Sequence, residues 1–361
     1  MSKHLHKIKV ADIRRETKDC VSVAFEIPDD LKEAFDYQAG QYISLKAEIN
    51  GEEVRRSYSL CSSPLDNEWR VAIKKVYKGK FSTFANEDLK PGDTLEAFPP
   101  DGNFTIEIDP THKKHYVAFA AGSGITPVIS LIKTVLYSEP MSSFTLFYGN
   151  RNAKSIIFKE ELEGLKNQFI TRFKLFHVLS RQPSESPLFD GRIDADKCRR
   201  LYDLILTHDE PDEFFICGPS AMIFDLKEQL ENMGFDKNSI HFELFSSPED
   251  HKKELSSSEQ EDQREATGDT SHVSIKLDGK VIEFELEQDG QNVLDAGIAH
   301  GADLPFSCKG GVCSTCKAKL TKGEVDMEVN YALEEDEVEK GYILTCQSHP
   351  RSKEIFVDYD Q

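Results

Sequence analysis

Nowhere in its 361 residues does the sequence hold a run approaching the roughly 18 apolar residues that a bilayer-spanning helix needs. The amino-terminal stretch MSKHLHKIKV likewise lacks the apolar core of a signal peptide. Both absences lead to the expectation of a cytoplasmic protein with no membrane segment. Basic residues are the next scarcity. Lys and Arg number 44 against 64 for Asp and Glu, a formal net charge of -20, which argues against a nucleic-acid binder that relies on neutralising phosphates. An acidic surface suits a basic protein partner instead. There are only eight cysteines. In a reducing compartment they are poor candidates for disulfides, and a tight cluster of them points to metal binding or redox chemistry. No internal repeat is visible.

What is present divides the chain. Its length exceeds one ordinary core, because domains cluster at roughly 100 to 150 residues. Residues 246–272 have only Leu255 and Ala266 as apolar members among charges and serines, so they read as a self-solvating linker. Before residue 109, short alternating apolar runs such as VSVAFEI, QYISLKAEI and WRVAIKKV are separated by turn signals, NG at 50–51 and PGD at 91–93. That rhythm predicts an antiparallel barrel or sandwich. From His115 strands and helices alternate, HYVAFAAG then TPVISLIKTVLYSE then SFTLFYGN and onward to SIHFELF, which predicts a parallel sheet with ligands at the carboxyl ends of its strands. After the linker, SHVSIKLDGKVIEFELE predicts a hairpin with a DG turn, VLDAGIAHG a short helix, and ILTCQSHP with EIFVDYD a last hairpin. The expected domains are 1–109, 110–246 and 272–361, with 247–271 as linker.

Within CKGGVCSTC and beyond it, Cys308, Cys313, Cys316 and Cys346 are spaced C-x4-C-x2-C-x29-C, the ligand spacing of a plant-type [2Fe-2S] centre. Small residues, Ser307, Gly310, Gly311, Ser314 and Thr315, let backbone wrap closely around inorganic sulfide. A zinc ion held by the same thiolates is the alternative, although zinc sites usually pair two short C-x2-C knuckles. Cys20, Cys61 and Cys198 read as packed residues.

AAGSGITP, Ala120 to Pro127, follows a strand and opens a helix, the arrangement that turns amide N–H groups toward a phosphate. It has only the local G-x-G element of the dinucleotide fingerprint. Two further strand ends, LSR (Leu179 to Arg181) and CGP (Cys217 to Pro219), converge on the same predicted edge. RSYSL, Arg56 to Leu60, ends a barrel strand, and GKFST, Gly79 to Thr83, follows another. An arginine there can pair with a pyrophosphate and a tyrosine can stack on a ring.

RxYS, then G-x-x-S/T, then GSGITP and CGP in that order resemble the ferredoxin-NADP reductase superfamily, here with a plant-type ferredoxin segment appended. RRSYSLCSSP, FTLFYGNR, GRID, FICGPSAM and ADLPFSCKGGVCSTCKAKL are similar, more narrowly, to the PaaE-like reductase subunits of ring-1,2-phenylacetyl-CoA epoxidases. The resemblance implies an FAD-binding β-barrel, an NAD(P)-binding α/β domain and a β-grasp [2Fe-2S] domain. It also implies a separate di-iron oxygenase as electron acceptor, with the reductase of another di-iron or Rieske oxygenase as the alternative. A redox-sensing or zinc-stabilised interaction protein is a remote third reading.

Carried onto matching positions, the resemblance implies that Arg56, Ser57, Tyr58 and Ser59 hold FAD, with Tyr58 against the isoalloxazine and Ser59 near its N5. Gly79, Lys80, Phe81 and Ser82 then face the pyrophosphate. Gly122, Gly124 and Thr126 accept the nicotinamide nucleotide, while Cys217 and Gly218 border the nicotinamide. Glu243 and Phe245 fall where the family has a carboxylate and an aromatic near the flavin, so Ser59, Cys217 and Glu243 are the expected catalytic positions. Phe245 stands where plant reductases end in tyrosine, and more chain follows it. Ser180 and Arg181 match the Ser-Arg of NADP-type members, so NADPH rather than NADH is expected.

Overall fold

The computed structural model describes residues 4–184, 186–206, 210–245 and 269–361. The expected linker therefore lies outside the described residues from 247 to 268. One compact unit comprises His6–Val54 and Tyr58–Phe245, and everything described from residue 269 onward belongs to a second.

The first sheet of the larger unit is antiparallel. Its strands are β1 (His6–Thr17), β2 (Cys20–Glu26), β3 (Tyr42–Ile49), β4 (Glu52–Ser59), β5 (Trp69–Lys74) and β6 (Thr94–Ala97), in the order β4-β3-β6-β1-β2-β5. A bridge between Leu60 and Val71 joins the two ends and closes the barrel. Asn50 and Gly51 both take positive φ, 55° and 78°, the two left-handed residues that a tight hairpin turn between β3 and β4 requires. Val21, Val23 and Phe25 fill the barrel interior. Helix α1 (Lys80–Glu87) packs on it through Phe81 and Ala85.

The second sheet is wholly parallel. It contains β7 (His115–Ala121), β8 (Ser143–Asn150), β9 (Phe173–Leu179), β10 (Glu213–Cys217) and β11 (Ile240–Glu243), in the order β11-β10-β7-β8-β9. Helices α2 (Ile125–Ser138), α3 (Lys159–Gln168), α4 (Ala195–Leu201) and α5 (Ser220–Asn232) connect the strands. The chain winds outward from β7 to β9 and returns to place β10 on the other side of β7. A topological switch point therefore lies between β7 and β10, where open parallel sheets bind ligands. Cys20, Cys61 and Ala72 of the barrel share one buried cluster with Ile125, Ile129 and Ile132 of α2. Ser130 Oγ donates to the Ser62 carbonyl at 2.6 Å, fixing α2 against the barrel.

The smaller unit is a five-stranded mixed sheet of β12 (Thr270–Leu277), β13 (Lys280–Glu287), β14 (Lys317–Lys322), β16 (Tyr342–Leu344) and β18 (Glu354–Asp358), ordered β13-β12-β18-β14-β16. A separate pair joins β15 (Val325–Met327) to β17 (Ser348–Pro350). The helix Val293–Ala299, capped by Asn292, covers the sheet. The DG hairpin forms as expected, with Asp278 and Gly279 at positive φ.

The last hairpin does not form. β17 pairs with β15, and β18 inserts between β12, to which it is parallel, and β14. Ile355 and Val357 are 1% and 0% exposed, a burial that a central strand supplies and an edge hairpin does not. Pro350 also has no N–H with which to extend a ladder. Among the described residues, no helix is long and apolar enough to cross a membrane.

Candidate active site and cluster loop

At the switch point the glycine turn is built by close approach. Gly122 has φ +57°, and Tyr148 donates its hydroxyl to the Gly122 carbonyl at 2.9 Å. A Cβ on Gly124 would lie 2.1 Å from the Cys217 carbonyl oxygen and 2.8 Å from the Gly218 nitrogen. Only glycine lets the start of α2 come this near the end of β10, and this contact aligns the GSG and CGP strand ends. Gly124→Ala should therefore destabilise the fold by about 1–3 kcal/mol and, on the expectation that this turn receives the nicotinamide nucleotide, weaken its binding at least about tenfold. Titration with NADP⁺ and thermal melting check both effects. Thr126 Oγ1 donates to the Ser123 carbonyl at 3.0 Å, so it stiffens the turn. Lys74, at the end of β5, lies beside Gly122, and burial followed by the nearby Arg151 charge lowers its pKa. Sequence reading overlooked Lys74 and Tyr148, which lie outside the glycine motif.

Ser180 and Arg181 follow β9, two strands from β7, and their amides donate to the Asn150 and Arg151 carbonyls at 2.9 and 2.8 Å. They thus line the outer end of the same edge, with the Arg181 side chain exposed.

Arg56, Ser57, Tyr58 and Ser59 are successive residues of β4, running from exposed Arg56 to buried Ser59. The Tyr58 ring leans on Phe81 at 5.4 Å between centroids, and Phe81 is 2% exposed. Phe81 is thus the ring's support and has only its N–H to offer a phosphate. Lys80 pairs with Glu52. Ser82 Oγ accepts from the Val76 amide at 3.2 Å and donates to the Gly79 carbonyl at 3.3 Å. A Cβ on Gly79 would meet that hydroxyl at 2.4 Å, so the glycine is needed for the turn to close.

Three residues remote in sequence meet where β4, β10 and β11 end. Cys217 and Glu243 are register partners at the ends of β10 and β11, and Ser59 Oγ donates to Glu243 Oε2 at 2.9 Å. Glu243 as a whole is half-buried, but its carboxyl end is enclosed. Burial pushes that carboxyl up to about 8, opposed by the Ser59 hydrogen bond. Cys217 is fully buried, and burial raises its thiol pKa well above the ordinary value. It can border a ring but does not act as a thiolate. Phe245, two residues past Glu243, is 42% exposed.

In the smaller unit Cys313, Cys316 and Cys346 are buried and Cys308 is half-buried. Cys313 and Cys308 Sγ are 3.1 Å apart. The Cys308 thiol holds Cys313 down to about 6, and Cys316 lowers Cys346 in the same way. Gly311 has φ +70°, and a Cβ there would strike Val329 at 2.8 Å. Gln347 Nε2, which the spacing argument missed, donates to the Lys309 carbonyl at 3.0 Å and to Cys346 Sγ at 3.5 Å. It ties the remote fourth cysteine to the loop carrying the other three.

Three families match in chain order: the oxidoreductase FAD-binding domain over residues 7–106, the oxidoreductase NAD-binding domain over 119–228, and the 2Fe-2S iron-sulfur cluster binding domain over 275–351. A component of the 1,2-phenylacetyl-CoA epoxidase of Escherichia coli K12 is 41% identical over 98% of both chains. This chain belongs to the ferredoxin-NADP reductase superfamily, in the branch that ends in a [2Fe-2S] ferredoxin domain. The ferredoxin reductase component of the Rhodococcus rhodochrous 3-ketosteroid-9-alpha-monooxygenase is 33% identical, over 98% of this chain and 96% of its own. The fold is shared with phthalate dioxygenase reductase, with a TM-score of 0.58 and 21% identity over 98% of both chains. The reductase is thus an NAD(P)H-dependent flavin and iron-sulfur oxidoreductase, and the loop with the four cysteines lies in its 2Fe-2S iron-sulfur cluster binding domain. The residues fit the cofactors. The Cys308 and Cys313 sulfurs lie 3.1 Å apart on a loop that Gly311 keeps narrow, Gln347 ties Cys346 to that loop, and glycines at 79 and 124 leave backbone where a Cβ would intrude.

Proposed function

We propose that this reductase supplies electrons from NADPH to a cytoplasmic di-iron oxygenase that epoxidises phenylacetyl-CoA. The 41% identity to the Escherichia coli epoxidase component, over nearly the full length of both chains, carries this reading. The working division is 1–109 for FAD, 110–246 for the nucleotide, 247–271 as linker and 272–361 for the cluster. FAD, when bound, accepts electrons from nicotinamide in pairs and releases them singly to iron.

The chain's own residues bind, orient and handle protons. Arg56, Ser57 and Tyr58 would hold the flavin, with the Phe81 ring keeping Tyr58 in place. Gly79, Lys80 and Ser82 would present the turn at the head of α1 to the pyrophosphate. Gly122, Gly124 and Thr126 would receive the nucleotide phosphates, Cys217 and Gly218 would shape the slot for the nicotinamide, and Phe245 would border the flavin. Glu243 holds a proton beside Ser59 Oγ. Cys308, Cys313, Cys316 and Cys346 would ligate the cluster.

Ser180 and Arg181 support the choice of NADPH, since a guanidinium and a hydroxyl suit a ribose 2′-phosphate and no carboxylate follows them immediately. Arg181→Ala should lower the NADPH:NADH ratio of kcat/KM at least about tenfold, measured with ferricyanide as acceptor. The deciding experiment for the partner mixes the purified reductase with the di-iron epoxidase components and follows NADPH oxidation with and without phenylacetyl-CoA. Stimulation by phenylacetyl-CoA supports the reading. Turnover only with another di-iron oxygenase or with a Rieske oxygenase would support the second reading, for which the 33% identity to the reductase component of a different monooxygenase speaks.

A further inference from the structure

We infer that Lys197, on α4 and outside the residues assigned above, is a positioning residue for nicotinamide-nucleotide recognition: its buried ammonium fixes the Pro187–Asp190 turn against the strand end that carries Ser180 and Arg181. This rests on the reading that Ser180 and Arg181 meet the nucleotide ribose.

Lys197 is only 8% exposed, an unusual place for a lysine. Its Nζ donates to the carbonyls of Leu188 at 2.9 Å, Asp190 at 2.8 Å and Pro187 at 3.4 Å. Three ammonium protons thus meet three carbonyls of one turn. A buried ammonium needs such full satisfaction, and here the acceptors are backbone, so what the charge fixes is chain path. Asp194 caps α4 by accepting from the Lys197 amide at 2.8 Å, so the anchor itself is rigid.

The anchored turn is joined to the nucleotide edge. Asp190 forms a parallel bridge with Leu179, and the Gly191 amide donates to the Leu179 carbonyl at 3.0 Å. Leu179 is the residue before Ser180. Phe189 stacks on Phe176 of β9 at 5.5 Å and 12° between planes, and Ile193 packs on Gly149 at the end of β8. The turn therefore acts as an extra half-strand beside the end of β9. If the ammonium releases it, the backbone carrying Ser180 and Arg181 loses a neighbour while the flavin side, on β4, β10 and β11, is untouched.

The test uses the full-length, FAD- and cluster-loaded reductase with ferricyanide as acceptor. Lys197→Met, which keeps length and removes the charge, should raise KM for NADPH about tenfold with kcat within about twofold and with unchanged flavin and cluster absorbance. A purely structural lysine would instead lower the melting temperature and leave KM unchanged, and that result overturns the inference, as does a fall in kcat at constant KM. Should Lys197→Met not fold, Phe189→Leu loosens the same turn without burying or removing a charge. It must then give the KM rise, and an unchanged KM overturns the inference equally. Arg181→Ala run in parallel separates the two readings. If it leaves the NADPH:NADH ratio unchanged, the ribose assignment fails, whatever Lys197→Met does to KM. If it collapses the ratio while Lys197→Met and Phe189→Leu leave KM alone, only the positioning role fails.

Discussion

Cys313→Ser should cut electron delivery to an oxygenase or to cytochrome c at least about 100-fold, while NADPH-dependent ferricyanide reduction stays within about twofold. Cys313 is 4% exposed and lies 3.1 Å, sulfur to sulfur, from Cys308. A hydroxyl in its place is a poorer ligand for iron than a thiolate, so the cluster should be lost or left loosely held. The buried residues around the cluster loop form a core of their own, sharing no member with the cores of the barrel and the parallel sheet. Damage at Cys313 should therefore stay within that core and spare flavin and nucleotide binding. Ferricyanide can take electrons from the flavin before the cluster, whereas in the proposed order the protein acceptor receives them after it. Absorbance and electron paramagnetic resonance would report cluster loss, and the two acceptor assays would report its consequence. Parallel loss of both activities would reject the electron order of nucleotide, flavin, cluster, acceptor.

That order was legible in the sequence because its carriers are local. Four cysteines on a fixed spacing, a glycine turn between strand and helix, and RSYS at a strand end each lie within a few residues of chain. Alternation of apolar residues also foretold both sheets of the larger unit, since a half-buried antiparallel strand and a fully buried parallel one have different patterns. What the sequence hid is contact at long range. Ser59 and Glu243 are 184 residues apart, and only resemblance placed both near a flavin; nothing local says that one donates to the other. Gly124 reads as a turn glycine, but the structure shows that its lack of a Cβ admits the Cys217 carbonyl. EIFVDYD reads correctly as a strand and wrongly as half of a hairpin, because alternation fixes which face is buried and not which strands lie alongside. Lys197 carried no signal at all. A lysine in DADKCRRL reads as a solvated helix residue, and only the path of the preceding turn makes it buried.

The strongest pH effect should reside at Glu243. Its carboxyl, enclosed at the end of β11, is raised from 4.5 to about 8 by burial, so at neutral pH it is mostly protonated beside Ser59 Oγ. If that proton serves the flavin half-reaction, ferricyanide-coupled turnover should be highest below about pH 8 and fall above it as the carboxyl ionises. Glu243→Gln has the shape but no exchangeable acid, and should lower kcat roughly 100-fold and flatten the profile. Ser59→Ala removes the hydrogen bond that favours the ionised form, so its falling limb should move to higher pH. The same group links pH to stability. Between about 4.5 and 8 the folded protein holds a proton that the unfolded chain releases. Its contribution is thus complete below the unfolded value and is lost as pH rises through the folded one. The melting temperature of the wild type should accordingly drop between pH 6 and pH 8.5 by more than that of Glu243→Gln. Profiles that coincide for wild type and Glu243→Gln, in turnover and in melting alike, would remove Glu243 from proton handling and leave it a packing residue at the strand end.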